Sequence, residues 1–337
     1  MSEILDSNLR ICGQTLLQHL IPFDEKYEIK INYFHIATGN HLFNDPEYFN
    51  IHTKSPNDIY AQLVRQSDMK VFLTIAIYEI NTDIFSSPKR GTFGGLGLNG
   101  KVRFAKVEKF ISLLSDFLKS RGARSLRIRC APASHDLSLF SIMFNVLKRQ
   151  GFILDSHEIN FDLVVDKRPF LERLDYGNVK RIRKSIKGKF ICEKTDHERF
   201  DEVYEVIKDS RARLELKVSM SFSQLEKMLT LFPKKIHLFS VYRDSTRSSM
   251  VAAAVCMTLT DSIMYVFYWG DRADVTTYSP IALLASKIYE FCQENEFILL
   301  DVGISTIDGE PNYGLMQFKH NLGFSESLKA DFILRLK

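Results

Sequence analysis

Apolar residues recur at helical spacing in residues 106–121, where Val107, Phe110, Ile111, Leu114 and Leu118 share one face. This is the 3.6-residue period of a helix with one side in a core. The pattern returns in residues 278–293 through Ile281, Leu284, Ala285 and Ile288. Each run leads into a strand-like stretch, 125–132 (SLRIRCAP) and 297–304 (FILLDVGI). A second helical stretch follows, then Gly151-Phe152 or Gly323-Phe324, then a further strand at 159–165 or 330–336. Moving the first series by 172 residues lays it on the second without a gap, the last strands overlapping in all but one residue. A fixed offset of this kind is the mark of a duplicated unit. Ahead of each first helix lie strand-like runs, 71–80 with the loop to Gly100, and 250–259 with 262–269. Strands joined through a single crossover helix make an α/β layer with a mixed sheet. The pattern therefore predicts an α/β fold of two tandem domains, 1–166 and 167–337, each a mixed β-sheet flanked by helices. They join where DKRP at 166–169 interrupts the pattern, and two copies leave a cleft between them for a ligand.

Length agrees with two domains, since 337 residues exceed one typical core. A net charge of +4 is too small to demand a nucleic-acid or membrane partner on its own. The five cysteines include no CxxC pair, and an odd count leaves one over. Reduced thiols and a cytoplasmic location are expected. The first residues carry no basic segment followed by an apolar run, and no stretch of about 18 uncharged apolar residues occurs, so neither a signal peptide nor a transmembrane segment is expected. Nine histidines form no HxH or HExxH pattern, and the cysteine spacing fits no metal site. Nor is there a GxSxG or Cys/His signature of a covalent nucleophile.

The order helix, strand, helix, Gly-Phe, strand is also that of the GNAT fold. Several short motifs extend this likeness over nearly the whole chain. They are Ser87-Pro88 with Phe93-Gly94-Gly95, the basic run NVKRIRKSIKGKF, Phe232-Pro233, Ser279-Pro280 opening a helix, LLDVGIS, and GLMQFKHNLGF. In this order and spacing they resemble the Fem family of tandem-GNAT peptidyltransferases. The resemblance implies an acyl or aminoacyl transferase in which an acceptor amine attacks the donor directly. It implies no tightly bound cofactor, with acyl-CoA, an acyl carrier protein or aminoacyl-tRNA as donor. The acceptor it implies is an amine-bearing sugar nucleotide or peptide of a cell-envelope precursor. It makes Arg90, Phe93, Gly94 and Phe318 candidates for substrate binding. The family's FK lysine, which stabilises the oxyanion of the tetrahedral intermediate, corresponds to Lys319.

The residues themselves single out the same lysine. On the helix predicted over 313–322, Leu315, Phe318 and Leu322 form an apolar stripe that includes Lys319. The matching residue 172 positions earlier is Leu147. A lysine thus stands where the other copy has a core leucine, and burying it without a partner is expensive. It reads either as a cation aimed into a cleft or as a snorkelling surface lysine. Asp301, at the end of a strand before Gly303, reads as its ion partner, as a group that orients the attacking amine, or as a turn-forming residue. Tyr268, near its strand end, is a candidate to position or protonate a leaving group.

Val179, Ile182 and Ile186 predict a narrow buried stripe on a basic helix, with Lys180, Arg183, Lys184 and Lys187 on another face. Such a face binds phosphates, with Arg183 and Lys184 as candidates, or is simply solvated; Arg183 and Arg213 match arginines of the Fem-like pattern, and that resemblance makes both phosphate candidates. Residues 95–100 spell GxGxxG, but no strand directly precedes them and the loop is read as tight turns rather than a dinucleotide site. The Q/RxxGxG/A loop by which GNAT enzymes hold CoA has no counterpart in residues 270–280, GDRADVTTYSP. There Ser279 is expected to cap a helix opened by Pro280, whose N-terminus attracts an anion. Two functions remain: an acyltransferase acting on an amine, or a non-catalytic module that binds a phosphorylated glycan or RNA. Burial of Lys319 beside a carboxylate favours the first.

Overall fold

The computed structural model describes residues 10–11, 14–35, 41–53, 55–89, 91 and 93–336. The chain forms two compact units, residues 1–158 with 328–337, and residues 159–327. Each is a mixed sheet flanked by helices.

In the first unit, strands β1 (His19–Pro22), β2 (Tyr27–Ile31), β3 (Ile59–Arg65) and β4 (Val71–Asn81) form an antiparallel series that continues to β5 (Ile84–Ser87). β5 lies parallel to β6 (Ser125–Arg129), reached through helix α2 (Phe104–Ser120). This is the crossover that the pattern predicts. Every apolar position proposed for α2, from Val107 to Leu118, is buried. Helix α1 (Pro46–His52) precedes β3, and helix α3 (Leu137–Arg149) buries Met143, Val146 and Leu147 in the same core as α2. Residues 331–335, near the chain's end, pair antiparallel with β6 and complete the unit. They contribute Phe332 to its core.

The second unit begins within β7 (Ile153–Val164), whose residues 160–164 pair antiparallel with β12 (Leu299–Ile304). Between them come α4 (Tyr176–Lys187), β8 (Ile191–Thr195), α5 (Phe200–Arg213), α6 (Phe222–Leu231), β9 (Ile236–Tyr242), β10 (Met250–Thr260), β11 (Ile263–Asp271) and α7 (Pro280–Glu294). The sheet order is β8-β9-β10-β11-β12-β7, antiparallel except for β11 with β12. Helix α8 (Tyr313–Asn321) follows, then β13 (Ser325–Arg335), whose residues from Leu328 on belong to the first unit.

β9 is buried at every residue and β10 at nearly every one, because helices cover both faces. Ala252, Ala254 and Cys256 face a core with α7, while a side chain at Gly270, opposite Ala253, would meet Ser210 and Ile207 of α5. No helix of the described residues is long and apolar enough to cross a membrane.

The basic helix α4 forms as expected, with a different buried face. Ile182 is buried, but its companions are Asn178 and Ser185 rather than Val179 and Ile186, and Ile186 is exposed. The reason is polar pairing. Asn178 Nδ2 donates to the carbonyl of Asn321 at 2.7 Å, and the Ser185 hydroxyl donates to the carbonyls of Arg181 and Tyr278. Buried polar groups with partners cost little, so small hydrogen-bonding residues take the inward positions.

Candidate active site

The parallel pair β11–β12 is joined over a short length. Register partners run from Ile263/Leu299 to Tyr265/Asp301 and stop there, while β11 continues to Asp271. The C-terminal ends of parallel strands are where α/β sheets place their ligands. Past Asp301 the chain turns at Gly303, whose φ of 76° is strained for any residue with a side chain. In a regular strand successive carbonyls point to opposite sides. The left-handed glycine breaks that alternation, and the carbonyls of Gly303 and Ile304 both reach one ammonium, Lys319 Nζ, at 2.8 and 2.9 Å.

Lys319 arrives there on α8, whose first turn is capped by the Asn312 side chain accepting from Leu315 N. It is 2% exposed and is the buried residue of that helix. Its ammonium also lies 5.4 Å from the centre of the Phe161 ring. Asp301, fully buried, accepts from Asn160 Nδ2 at 3.1 Å and from Gly303 N at 2.6 Å. Burial pushes Lys319 down to about 7, and the Asp301 charge opposes that shift without cancelling it. The lysine is thus inside, with a carboxylate as electrostatic neighbour.

The other second-unit candidates have contacts of their own. Tyr268 lies on β11, but its hydroxyl accepts from Met220 N at 3.1 Å and shares a hydrogen bond with Ser219, while Arg211 stacks on its ring. Phe318 packs on the core edge against Trp269. Arg213 is paired with Asp271 at 2.6 Å. Arg183 and Lys184 are exposed on α4, with the Lys184 ammonium 4.6 Å from the centre of the Tyr278 ring.

Pro280 does open α7, but the expectation for Ser279 is overturned. Its φ of 49° is left-handed and its side chain makes no capping bond. A cap needs the extended conformation, which turns the hydroxyl back to the helix N–H groups.

Two first-unit candidates also change role. Phe93 is 1% exposed and packs on the rings of Phe43, His41 and His135, so it is core rather than a ligand contact. Gly94 donates its N–H to the Arg129 carbonyl, and a Cβ there would come within 2.8 Å of Pro88 N, so close backbone packing requires a glycine. Arg90 lies outside the described residues.

Reading the sequence missed Tyr265. It is the register partner of Asp301, and its hydroxyl comes within 3.7 Å of where a Gly303 side chain would start. A bulge at Phe267 hides it. The bulge puts Tyr268, opposite Val255, and Tyr265, opposite Met257, on the same face, which strict alternation forbids. Asn160 was missed as well. It holds Asp301 from a strand that precedes the whole second repeat.

No family model matches the chain, and no curated protein matches it in sequence. Solved structures do match in fold. A crystal structure of FemX superposes with a TM-score of 0.64 at 14% identity, over 89% of this chain and 93% of that one. The structure of L-PGS from Bacillus licheniformis gives 0.57 at 11% identity, over 88% and 87%. The C-terminal domain (DUF2156) of a putative lysylphosphatidylglycerol synthetase from Agrobacterium fabrum gives 0.54 at 10% identity, over 77% and 80%. The chain has the tandem-GNAT, Fem-like fold. At these identities the likeness is one of fold.

Proposed function

We propose that this protein transfers an acyl or aminoacyl group from a carrier to an amine of a cell-envelope or polysaccharide precursor. The observation that carries the reading is Lys319. It is a buried lysine beside Asp301, held by two backbone carbonyls at the C-terminal end of a parallel strand, at the position where the first repeat has Leu147. A buried lysine costs stability and is kept where charge develops during a reaction. The acceptor amine attacks the donor carbonyl carbon, Lys319 stabilises the oxyanion, and the carrier leaves with its sulfur or oxygen. Asp301, fixed by Asn160, positions Lys319. Tyr265 lines the same strand end.

The basic helix supports a phosphate-bearing substrate. Several arginines elsewhere in this unit are paired, as in Arg199–Glu202, Arg247–Glu193 and Arg272–Asp209, whereas α4 gathers its cations on one helix. Among the described residues Lys180, Arg183, Lys187 and Lys189 meet no carboxylate at ion-pair distance. Charges left free in this way suit the phosphates of a sugar nucleotide or of aminoacyl-tRNA. Proteins of this fold include one described as a putative lysylphosphatidylglycerol synthetase, a name that joins an amino acid to a phosphate-bearing acceptor.

The test is a mass-spectrometric search for acyl transfer, with acyl-CoA, acyl carrier protein and aminoacyl-tRNA offered separately to amine-bearing sugar nucleotides and peptides. A product that appears with wild-type protein and vanishes with Lys319→Met supports the reading. No product from any donor, or equal product from the variant, sinks it.

A further inference from the structure

Two of the three protons on the Lys319 ammonium are directed at fixed acceptors, the carbonyl oxygens of Gly303 and Ile304. Nζ is tetrahedral, with Cε in one direction and the two carbonyls in two others, so one bonding direction remains. In the ammonium form that direction carries a third N–H. In the neutral amine the two N–H groups still satisfy both carbonyls, and the same direction carries the lone pair. The surroundings therefore hold the amine in one orientation in either state, with the active direction unchanged.

Charged groups lie on the neighbouring strands and on its own helix. Asp301 on β12 favours the ammonium. Asp162 on β7 is the register partner of Asp301, and its carboxylate accepts from the Ser327 hydroxyl at 2.5 Å. His320, next on α8, is joined to Glu326 at 2.5 Å. Against these, the nearly complete burial of the side chain favours the neutral amine.

An amine acceptor poses a problem that an oxyanion donor alone does not solve. At neutral pH the acceptor is an ammonium, and it must lose a proton before its nitrogen can attack. We propose that Lys319 enters the cycle as a neutral amine and takes that proton, so that the cation which stabilises the oxyanion is generated by the reaction itself. This rests on the acyl-transfer reading and gives its lysine a second task.

The steps balance. The acceptor R–NH3+ gives one proton to the lone pair of Lys319 Nζ and becomes R–NH2. Its nitrogen forms the C–N bond while the carbonyl π pair moves to oxygen, which the new Lys319 N–H meets. As the oxygen re-forms the double bond, the bond to the carrier breaks with its electron pair. The second proton of the attacking nitrogen goes to the departing sulfur or oxygen. Lys319 then releases the first proton to water and is neutral again. The net change is one amide, one protonated carrier and one proton in solution.

The experiment uses the full chain labelled with 13C at lysine Cε, titrated from pH 5.5 to 10.5 with no donor present. One resonance, identified by its absence from Lys319→Met and from Lys319→Arg, is expected to titrate near pH 7 while the other lysines titrate near 10. Asp301→Asn is expected to move that midpoint further down by about a unit. A Lys319 midpoint above 9 overturns the inference and makes this lysine a permanent cation, even if acyl transfer is found. Transfer that persists in Lys319→Arg, which keeps a charge but accepts no proton, overturns it also. A midpoint near 7 with no transfer from any donor strikes the acyl-transfer reading instead, and the inference falls with it.

Discussion

The two units use one arrangement, strand, crossover helix, parallel strand, helix, and finish its ends differently. In the first unit β5 is paired along its whole length with β6, from Ile84/Ser125 to Ser87/Ile128. The following loop is drawn over the strand ends. Gly94 N donates to the Arg129 carbonyl, and Gly95 N donates to the Ser87 hydroxyl. The helix behind it buries Leu147 completely. In the second unit pairing stops after Tyr265/Asp301, Gly303-Ile304 replaces Ala131-Pro132, and Lys319 replaces Leu147. One copy closes its strand ends with packing, and the other keeps a charge at them. A duplicated scaffold can hold such a costly residue in one copy because folding does not need it there.

The comparison breaks most sharply by exchange. Leu147→Lys puts a lysine in the first core, where Ala131-Pro132 stands in place of the glycine turn that aims two carbonyls at Lys319. An unpartnered buried charge should cost about 3–5 kcal/mol, measured by urea denaturation of the full chain. A loss under about 1 kcal/mol would mean that the two positions are equivalent after all.

Lys319→Met is the opposite exchange. Turnover should fall by about 10²–10³ with substrate binding little changed, because the lost contact belongs to the transition state. Stability should move the other way, with a pH signature. The folded state holds Lys319 near 7, and the unfolded chain near 10.4. Below pH 7 the wild type carries the full cost of a buried charge. Between pH 7 and 10 the folded protein sheds that proton and the cost fades. The variant's advantage in thermal midpoint should therefore be greatest at pH 6 and small by pH 10. Retained turnover would remove Lys319 from the mechanism, and an advantage that grows with pH would contradict its burial as a charge.

Gly303→Ala tests the turn. At 3.7 Å the Tyr265 hydroxyl leaves room for a methyl group, so the cost is conformational. A left-handed alanine costs about 1–2 kcal/mol. Relaxing it would turn the two carbonyls away from Lys319 and lower turnover. An unchanged thermal midpoint would show that the φ of 76° is not required.

How much of this was legible in the sequence follows the same division. Periodicity marked α2, α7 and the strand after each, because side chains with one face in a core repeat at the period of their backbone. The offset exposed Lys319, since a charge replacing a leucine at a matched position is visible without coordinates. What stayed hidden depends on backbone detail. The bulge at Phe267 made Tyr268 look like the residue at the strand end, when Tyr265 is the one opposite Asp301. Ser279 looked like a cap because residue type suggests one, but its left-handed conformation is set by the turn. Asn160 touches Asp301 across 141 residues of sequence, a contact that no local pattern announces. Phe93 and Gly94 sat in a motif that suggested binding, and they serve packing.

The smallest effect concerns α4. Its cations are exposed, its buried face is fixed by Asn178, Ile182 and Ser185, and Arg183 and Lys184 take no part in that face. Replacing both with Ala should therefore leave the thermal midpoint within about 1 °C, since surface changes away from packing move stability little. If the helix holds phosphate, each lost charge-assisted contact is worth about 1.5–3 kcal/mol, and affinity for a phosphate-bearing substrate should drop at least tenfold. The salt dependence of binding should become shallower at the same time, because fewer counterions are released. Weaker binding with an unchanged salt slope would mean that the loss came from altered shape rather than charge. Affinity and slope both unchanged would make α4 a solvated face, and the phosphate contact would then have to be sought at other residues.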